Sequence, residues 1–496
     1  MKKIVIIGGG ISGLTTGIYL LDNGFDVEIY EKHSLPGGQC TGWYRQGYFI
    51  DGCAHWLVGT SPKSDLHHIY RHIGAIDDQS VIYDSEYFAK YYIDDQEITF
   101  YADLDKLEKE LIRVSKKDTK QIKKLIKSIR VYQSVKIPVS KPLDMMNLFE
   151  LIKFGFPMLR MLPSMLKYKH MSLEDYGNRF KSPILRKLFC RLMDNKEYNV
   201  HSMLYTMQAM SKNDAGIIEG GSLKLILRVK DRFTSKGGKL LLNSPVKKVI
   251  VNNNVAKGVL LENGKEVNAD FVISCADLNY TINSLLEGKY YDKDLVTKIK
   301  QDKDYLLHTC LYVSFGVKKD ISKYPKTGCY EIEELNILDQ KENYLFVRNY
   351  SFDKTLNKGK TTLTSIINLD NKIYDDLKKM TKEEYQNFKD KLANDLLERI
   401  KKIYSLSDEE VVFLDIATPL TYERYNNSYK GSYMSFITTK RSKGLMRKGL
   451  VKGLKNFALA GQWIMPPGGI PIALFTSKNT AYRVSKKLNH KWICKD

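Results

Sequence analysis

Lys3-Ile4-Val5-Ile6-Ile7-Gly8-Gly9-Gly10-Ile11-Ser12-Gly13-Leu14 joins a β-branched run to a glycine turn and the first apolar residue of a helix. An unbroken Val/Ile run suits a parallel strand covered on both faces. Gly8, Gly10 and Gly13 stand in the order G-x-G-x-x-G. Apolar residues then recur at helical spacing at Leu14, Ile18 and Leu21, and Asn23-Gly24 stops the helix. Asp26 to Tyr30 reads as a second strand, closed by Glu31. Strand, helix, strand and terminal acid are the parts of a dinucleotide-binding unit. Gly8 permits the tight turn, Gly10 lets the backbone approach a pyrophosphate, and Gly13 lets the helix pack close to the strand. The helix N-terminus adds N–H donors and a partial positive charge. Glu31, 18 residues beyond Gly13, can accept hydrogen bonds from a ribose, and its charge disfavours a 2′-phosphate. FAD or NAD is therefore expected rather than NADP.

The surrounding chain is that of a large globular protein. Its 496 residues allow about three domains, or one large fold with insertions. With 43% hydrophobic and 27% charged residues it is neither collagen-like nor broadly disordered. Lys and Arg exceed Asp and Glu by 78 to 57, a net charge of +21. Such a surface suits anionic membranes, acidic ligands or nucleic acid, and nothing but charge speaks for the last. No nucleic-acid partner is expected. Seven scattered cysteines without a C-x-x-C pair fit the reducing cytoplasm and argue against a disulfide framework or a zinc site. The basic start and apolar run from Ile4 resemble an export signal, but interrupting glycines and Asp22 favour a strand–turn–helix.

Further motifs lie downstream. Pro36-Gly37-Gly38-Gln39 follows Glu31, and Gly47-Tyr48-Phe49-Ile50-Asp51-Gly52 comes next. Gly220-Gly221-Ser222 precedes a helix through Leu223, Leu225, Ile226 and Val229. Strands from Pro245 to Val251 and from Val255 to Leu261 flank an asparagine turn, and Ala269 to Ser274 is another buried strand. Phe457-Ala458-Leu459-Ala460-Gly461-Gln462-Trp463 leads to Pro466-Pro467-Gly468-Gly469-Ile470-Pro471 and a helix through Tyr482 and Val484. In this order the motifs resemble the FAD-dependent amine-oxidase superfamily, and more closely its phytoene desaturase, carotene isomerase and retinol saturase branch.

That resemblance implies an α/β fold: a Rossmann-like FAD-binding domain built from discontinuous segments, with an inserted α+β substrate (cap) domain. The FAD domain would comprise 1–85, 216–290 and 445–496, and the cap 86–215 and 291–444. FAD would be bound non-covalently by Gly8, Gly10, Ser12, Gly13, Glu31, Lys32, Gly38 and Gln39 from the first segment. Val246 would contact adenine through its backbone. Gly461, Gln462, Gly469, Ile470 and Pro471 would set backbone amides against the isoalloxazine carbonyl and the ribityl chain. Two positions depart from the family: Gln39 stands where Arg is frequent, and Gln462 where Asp is frequent.

Within the cap, Tyr87 to Tyr101 reads as a hairpin and Asp103 to Val135 as two helices broken near Asp118. His308–Val317, Tyr344–Tyr350 and Thr361–Ile367 read as strands of an antiparallel sheet. Thr381-Lys382-Glu383-Glu384 is a capping box opening a helix to about Tyr404. The segment from Thr418 to Tyr425 resembles a family segment closing the substrate side. Residues 143–168 carry Met145, Met146, Met158, Met161 and Met165 among Leu, Phe and Ile, with Lys153, Arg160 and Lys167 interspersed. Pro157, Pro163, Glu150 and the basic residues disqualify this stretch as a membrane span. Two readings stay open: a surface helix lying on an anionic bilayer, or a methionine-rich core pair of the cap. The first would make the protein cytoplasmic but peripheral on the inner membrane face.

A single fingerprint, without a redox cysteine pair, leaves the redox chemistry to the flavin. No Ser-His-Asp set, carboxylate pair or metal cluster follows from spacing, and no metal is expected. His55 and Trp56 are the candidate catalytic residues, by resemblance of their loop to the Asp-x-x-x-His-aromatic pattern of retinol saturases. His55 would move a proton or place a polar end of the substrate; the alternative is a structural histidine. His67, His68 and His72 read as a solvated helical face, and Cys53 as a thiol near the ring without a covalent flavin bond. The expected enzyme is an FAD-dependent oxidoreductase acting on carbon–carbon double bonds of a lipophilic polyene or isoprenoid-like substrate. Hydride would pass between a substrate carbon and flavin N5. Saturation, desaturation and isomerisation share such a site, with the His55 loop leaning toward saturation. The alternatives are an amine- or porphyrinogen-oxidising flavoenzyme and a non-catalytic prenyl- or lipid-binding protein of related fold.

Overall fold

Lys3–Ile7 is the middle strand of a five-stranded parallel sheet. Its neighbours are Asp26–Tyr30 and then Lys239–Leu241 on one side, and Phe271–Ser274 and then Phe457–Leu459 on the other. The structure is a computed structural model, and it describes residues 1–494 except 54, 194, 292, 294–296, 298–303 and 443–446. The expected segment boundary at 444/445 lies outside the described residues.

Strand alternation divides the core. Ile4 and Ile6 face a helical layer, whereas Val5 and Ile7 join Val249, Ala256 and Val259 of a small antiparallel sheet over the opposite face. In the helical layer, Ile11–Asp22 lies against both Gly221–Ser235 and Ile470–Lys487. Its approach to the first strand is set at Gly13, where a Cβ would stand 2.0 Å from the Gly8 carbonyl oxygen. No side chain fits there.

The cap is built on a seven-stranded sheet in the order Val411–Ala417, Thr309–Val317, Thr361–Leu369, Gln340–Asn349, Thr327–Ile337, Tyr87–Ile93 and Gln96–Tyr101. The expected Tyr87–Tyr101 hairpin forms its edge, turning at Asp94 and Asp95 with positive φ. The three strands expected to be antiparallel are so, Thr361–Leu369 pairing with both Thr309–Val317 and Gln340–Asn349, but the whole sheet is mixed, because Thr327–Ile337 pairs parallel to Tyr87–Ile93. These two strands come from different insertions, so no hairpin constrains their direction. Helix Lys382–Tyr404, opened by the Thr381/Glu384 capping box, covers the sheet through Leu392, Leu396 and Ile400. A second apolar cluster joins the hairpin to helices Leu104–Val114, Thr119–Tyr132 and Val200–Met210.

The hairpin Gly42–Arg45/Tyr48–Asp51 reaches the cap sheet. Tyr48 and Ile50 pack with Tyr312, Leu414 and Ala417, and the Trp43 indole donates to Asp415 at 3.1 Å. No helix among the described residues is long and apolar enough to cross a membrane.

Gly13→Ala sets a methyl group against backbone that cannot rotate away. It is expected to cost on the order of 3 kcal/mol, at the upper end of overpacking penalties. Chemical denaturation reads this directly, and a wild-type midpoint would contradict the close helix–strand contact.

Candidate active site

A cavity of about 850 Å³ opens at the carboxyl ends of the parallel strands and runs to the cap sheet. Open α/β sheets place ligands at this end. Two helix N-termini lie in its wall. Gly10 caps Ile11–Asp22, and Gly469 caps Ile470–Lys487, and neither helix has a side-chain cap. The first-turn N–H groups of each helix need an acceptor, and the wall at Gly10, Ile11 and Ser12, and at Ile470 and Ile472, offers them to the cavity. Helix Gly221–Ser235 is different. The Asp51 carboxylate accepts from Ser222 N–H at 3.1 Å and from Cys53 N–H at 3.3 Å, so this end is satisfied internally.

The residues expected to hold FAD gather here. Glu31 is buried, and its oxygens accept from Gly9 N–H at 2.7 Å and His33 N–H at 2.8 Å. The carboxylate is thereby fixed on the cavity wall with lone pairs remaining. Lys32 also lines the cavity, but its ammonium is occupied by Asn427 Oδ1 at 2.8 Å and the Arg424 carbonyl at 3.1 Å. Burial lowers its pKa, opposed by the charge of Glu31. Gly8, Gly38 and Val246 belong to the wall as well, with Glu262 and Tyr280 beside Val246. Gly13 and Gly461 sit behind it. Gly461, at φ 111°, packs so close to Ser12 that a Cβ would lie 3.0 Å from the Ser12 hydroxyl.

The two departures from the family pattern meet each other. Gly469 N–H donates to Gln462 Oε1 at 3.2 Å, and Gln462 Nε2 donates to Gln39 Oε1 at 3.2 Å. Gln39 Nε2 then donates to the Ser432 carbonyl at 2.9 Å. One neutral amide chain thus ties together segments more than 400 residues apart in sequence. Open helix ends, the fixed Glu31 and the buried, unpartnered Ser428 hydroxyl in the same wall fit a flavin dinucleotide.

The cap end of the cavity is aromatic and apolar. Tyr312 and Ile366 come from the sheet, Tyr422 from helix Pro419–Asn426, Tyr433 from the chain after it, and His201 and Tyr205 from helix Val200–Met210. His55 and Trp56 stand in the wall between the two ends. The His55 ring lies parallel to Tyr312 at 6.1 Å, and its Nδ1 is sealed from solvent without a partner. Burial, reinforced by the Arg348 charge, holds this imidazole well below its ordinary pKa, so it is neutral at pH 7. Arg348 donates to the His55 carbonyl at 3.3 Å and covers the Trp56 ring at 5.4 Å.

Arg348, Tyr312, Tyr422 and Tyr433 went unnoticed in the sequence, although Arg348 interrupts the apolar run Leu345-Phe346-Val347 and so carried a signal. The reading of His72 as part of a solvated face is corrected. Its Nε2 lies 2.8 Å from Asp22 and 3.4 Å from the Cys494 sulfur, and its ring stacks on Tyr19 at 4.5 Å. Asp22 comes from 50 residues away, beyond the reach of helical spacing. None of these groups lines the cavity. Cys53 does line it, and the Gly42↔Asp51 register sets it opposite Cys40. The Cys40 thiol is pushed up by its hydrogen bond with Cys53 and by burial.

Burial pushes the Asp51 carboxyl up to about 6, while an unfolded aspartate titrates near 4. The folded state therefore keeps a proton that the unfolded chain releases. Stability from this group is present below pH 4 and lost as pH rises through 6. Asp51→Asn is expected to flatten that decline by about 2–3 kcal/mol. Urea unfolding on both sides of the window measures it, and an unchanged slope would count against a buried, protonatable Asp51.

The sequence profile of flavin-containing amine oxidoreductases matches residues 11–485. A 4,4'-diapophytoene desaturase (4,4'-diapolycopene-forming) of a Methylomonas species is 24% identical, over 98% of this chain and 96% of its own. A 4,4'-diaponeurosporene oxygenase of Staphylococcus haemolyticus is 21% identical, over 98% and 97%. Among solved structures, an oxidoreductase from Methanosarcina mazei superposes with a TM-score of 0.61 at 17% identity, covering 98% of this chain and all of that one. A putrescine oxidase superposes with a TM-score of 0.60 at 14% identity, over 98% and 99%. These two likenesses establish the shared fold. The chain belongs to the flavin-containing amine oxidoreductase family, on its desaturase-like branch, and is an FAD-dependent oxidoreductase.

Proposed function

We propose that the enzyme oxidises a carbon–carbon bond of a lipophilic, carotenoid-type polyene, with FAD held non-covalently. The observation that carries this reading is the composition of the cap end of the cavity. Tyrosines, Ile366, Met193 and Met434 line it, together with the cationic Arg348. The acids of the described wall, Glu31, Glu262 and Asp277, belong instead to the nucleotide-binding segments. An ammonium substrate would meet a guanidinium with no carboxylate to receive it, which speaks against amine oxidation. A hydrocarbon chain loses no hydrogen bonds there and gains apolar contact.

Bound FAD supplies a two-electron acceptor for such an oxidation. The open N-termini at Gly10 and Gly469, with Glu31, would hold its pyrophosphate, ring and ribose ends, and the Gln39–Gln462 chain would brace them. The sequence carries no motif for covalent attachment. His55, neutral and unpartnered at Nδ1, is the group suited to accept the proton released at the neighbouring substrate carbon. Arg348 fixes the loop from which that imidazole projects. The relatives named as a desaturase and an oxygenase favour oxidation over the saturation suggested by the His55 loop.

The test is an anaerobic visible spectrum of purified, FAD-loaded protein mixed with an acyclic polyene such as 4,4'-diapophytoene, and separately with alkylamines. Bleaching by the polyene alone is the expected result. Bleaching by amines alone, or a protein that stays colourless with added FAD, overturns the proposal. Denaturation should release all flavin into the filtrate. His55→Phe is expected to slow polyene oxidation by about 100-fold or more while FAD stays bound, since a positioned base contributes about that much. Wild-type turnover in this variant would remove His55 from the mechanism.

A further inference from the structure

The ends of two helices and the C-terminal tail converge outside the cavity. Asp22 is the last residue of helix Ile11–Asp22, and His72 the last of helix Asp65–His72. Cys494 belongs to the tail that follows helix Ile470–Lys487. One carboxylate oxygen of Asp22, one ring nitrogen of His72 and the Cys494 sulfur lie within 4.8 Å of one another. Among the described residues no other set of three carboxylate, imidazole or thiol groups does so. The Asp22–His72 contact of 2.8 Å and the His72–Cys494 contact of 3.4 Å share the same nitrogen, Nε2. That nitrogen carries either one proton or one lone pair, so it cannot serve both neighbours at once. A cation placed between the three atoms takes an electron pair from each.

The three groups are held there by contacts independent of any ion. His72 stacks on Tyr19 at 4.5 Å, and Tyr19 stacks in turn on Trp492 at 5.9 Å. Trp492 also meets Tyr482 at 5.0 Å, and Ile493 N–H donates to Asn23 Oδ1 at 2.8 Å, so the two residues before Cys494 are fixed. Lys236 takes the other oxygen of Asp22, Oδ1, and leaves Oδ2 toward His72. Ligating carboxylates are ordinarily braced by such an outer bond. The C-terminal ends of both helices add partial negative charge. The side chains of Asp22 and His72 are 18% and 16% exposed, ordered by burial yet open to an arriving ion.

The donor set selects the ion. One thiolate, one imidazole and one carboxylate suit zinc, whereas magnesium and calcium take oxygen ligands. Bonds of about 2.3 Å to sulfur and about 2.0–2.1 Å to nitrogen, at tetrahedral angles, set those two atoms about 3.5 Å apart. The His72–Cys494 distance of 3.4 Å matches this spacing. Asp22 needs to draw back by about 0.5 Å to complete it. We infer that Asp22, His72 and Cys494 bind one zinc ion, with water as the fourth ligand, and that the ion clamps the C-terminal tail to the flavin-binding domain. The Cys494 thiol gives its proton to solvent as the zinc–sulfur bond forms. This departs from the expectation of no metal drawn from spacing. No local pattern announces the site, because its ligands stand at positions 22, 72 and 494. The clamp does not rest on the polyene reading.

The test strips untagged, FAD-loaded protein with a chelator, adds back Zn²⁺ and removes unbound metal by gel filtration. One zinc per chain is expected to remain, and its X-ray absorption spectrum should show one sulfur at about 2.3 Å. Zinc should also raise the midpoint of thermal unfolding. Loss of even an outer partner of a metal ligand costs about 10–100-fold in affinity, so Cys494→Ser is expected to weaken zinc at least about 100-fold against a chromogenic chelator. The same variant should lose the sulfur signal and the thermal shift, while its flavin spectrum and zinc-free midpoint stay as in the wild type. His72→Gln should bind as weakly. Cys190→Ser, on helix Pro183–Arg191 of the cap, should bind normally, and excess Mg²⁺ should not displace the zinc. Wild-type protein that retains no zinc overturns the inference. So does zinc held without a sulfur ligand, or held as tightly by Cys494→Ser as by the wild type.

Discussion

Two helix N-termini without caps, aimed into one cavity, are the constraint on which the rest of the architecture depends. A buried N–H without a partner costs on the order of 1–3 kcal/mol, so such ends persist when a ligand completes them. The parallel sheet makes this arrangement by bringing strands from distant parts of the chain side by side, with Phe457–Leu459 two places from Lys3–Ile7. The glycines do the rest, because Gly13 removes the methyl that would push the first helix from its strand. Where no ligand is needed, the protein supplies its own anion: Asp51 closes the start of the third helix.

The cap imposes a different electrostatic regime on the other end of the cavity. Its walls are aromatic, His55 is neutral there, and Arg348 brings a positive charge. Burial governs the protonation states here, holding His55 deprotonated while raising Asp51 toward neutrality. Neutral amides stand at positions 39 and 462 as well, and they bond each other rather than a charged partner. A site built this way tolerates an uncharged hydrocarbon better than a small cation.

What could be read in advance follows the range of the interactions involved. The glycine turn, the capping box at Thr381 and the hairpin at Asp94-Asp95 are decided by neighbours a few residues apart, and all formed where their spacing places them. Arg348 and Tyr312 lie on strands whose facing is set by pairing with distant partners, so their arrival beside His55 had no local signature. The Asp22–His72 contact escaped for the same reason. The methionine-rich stretch was ambiguous because the same residues suit a core and a lipid surface. Exposure decides against the core pair, since helix Leu148–Gly155 buries none of its residues.

The sequence by itself determined the dinucleotide-binding unit, the order of the flavin-related segments and the absence of a long apolar helix in residues 143–168. These depend on backbone conformation and local periodicity, which short stretches encode. The tertiary structure alone decided that Gln39 meets Gln462, that Arg348 supports the His55 loop, and that helix Leu148–Gly155 stands uncovered. Each of these is a contact or exposure between parts of the chain far apart in sequence. Such relations follow from sheet register and domain packing, which no local pattern of residues specifies.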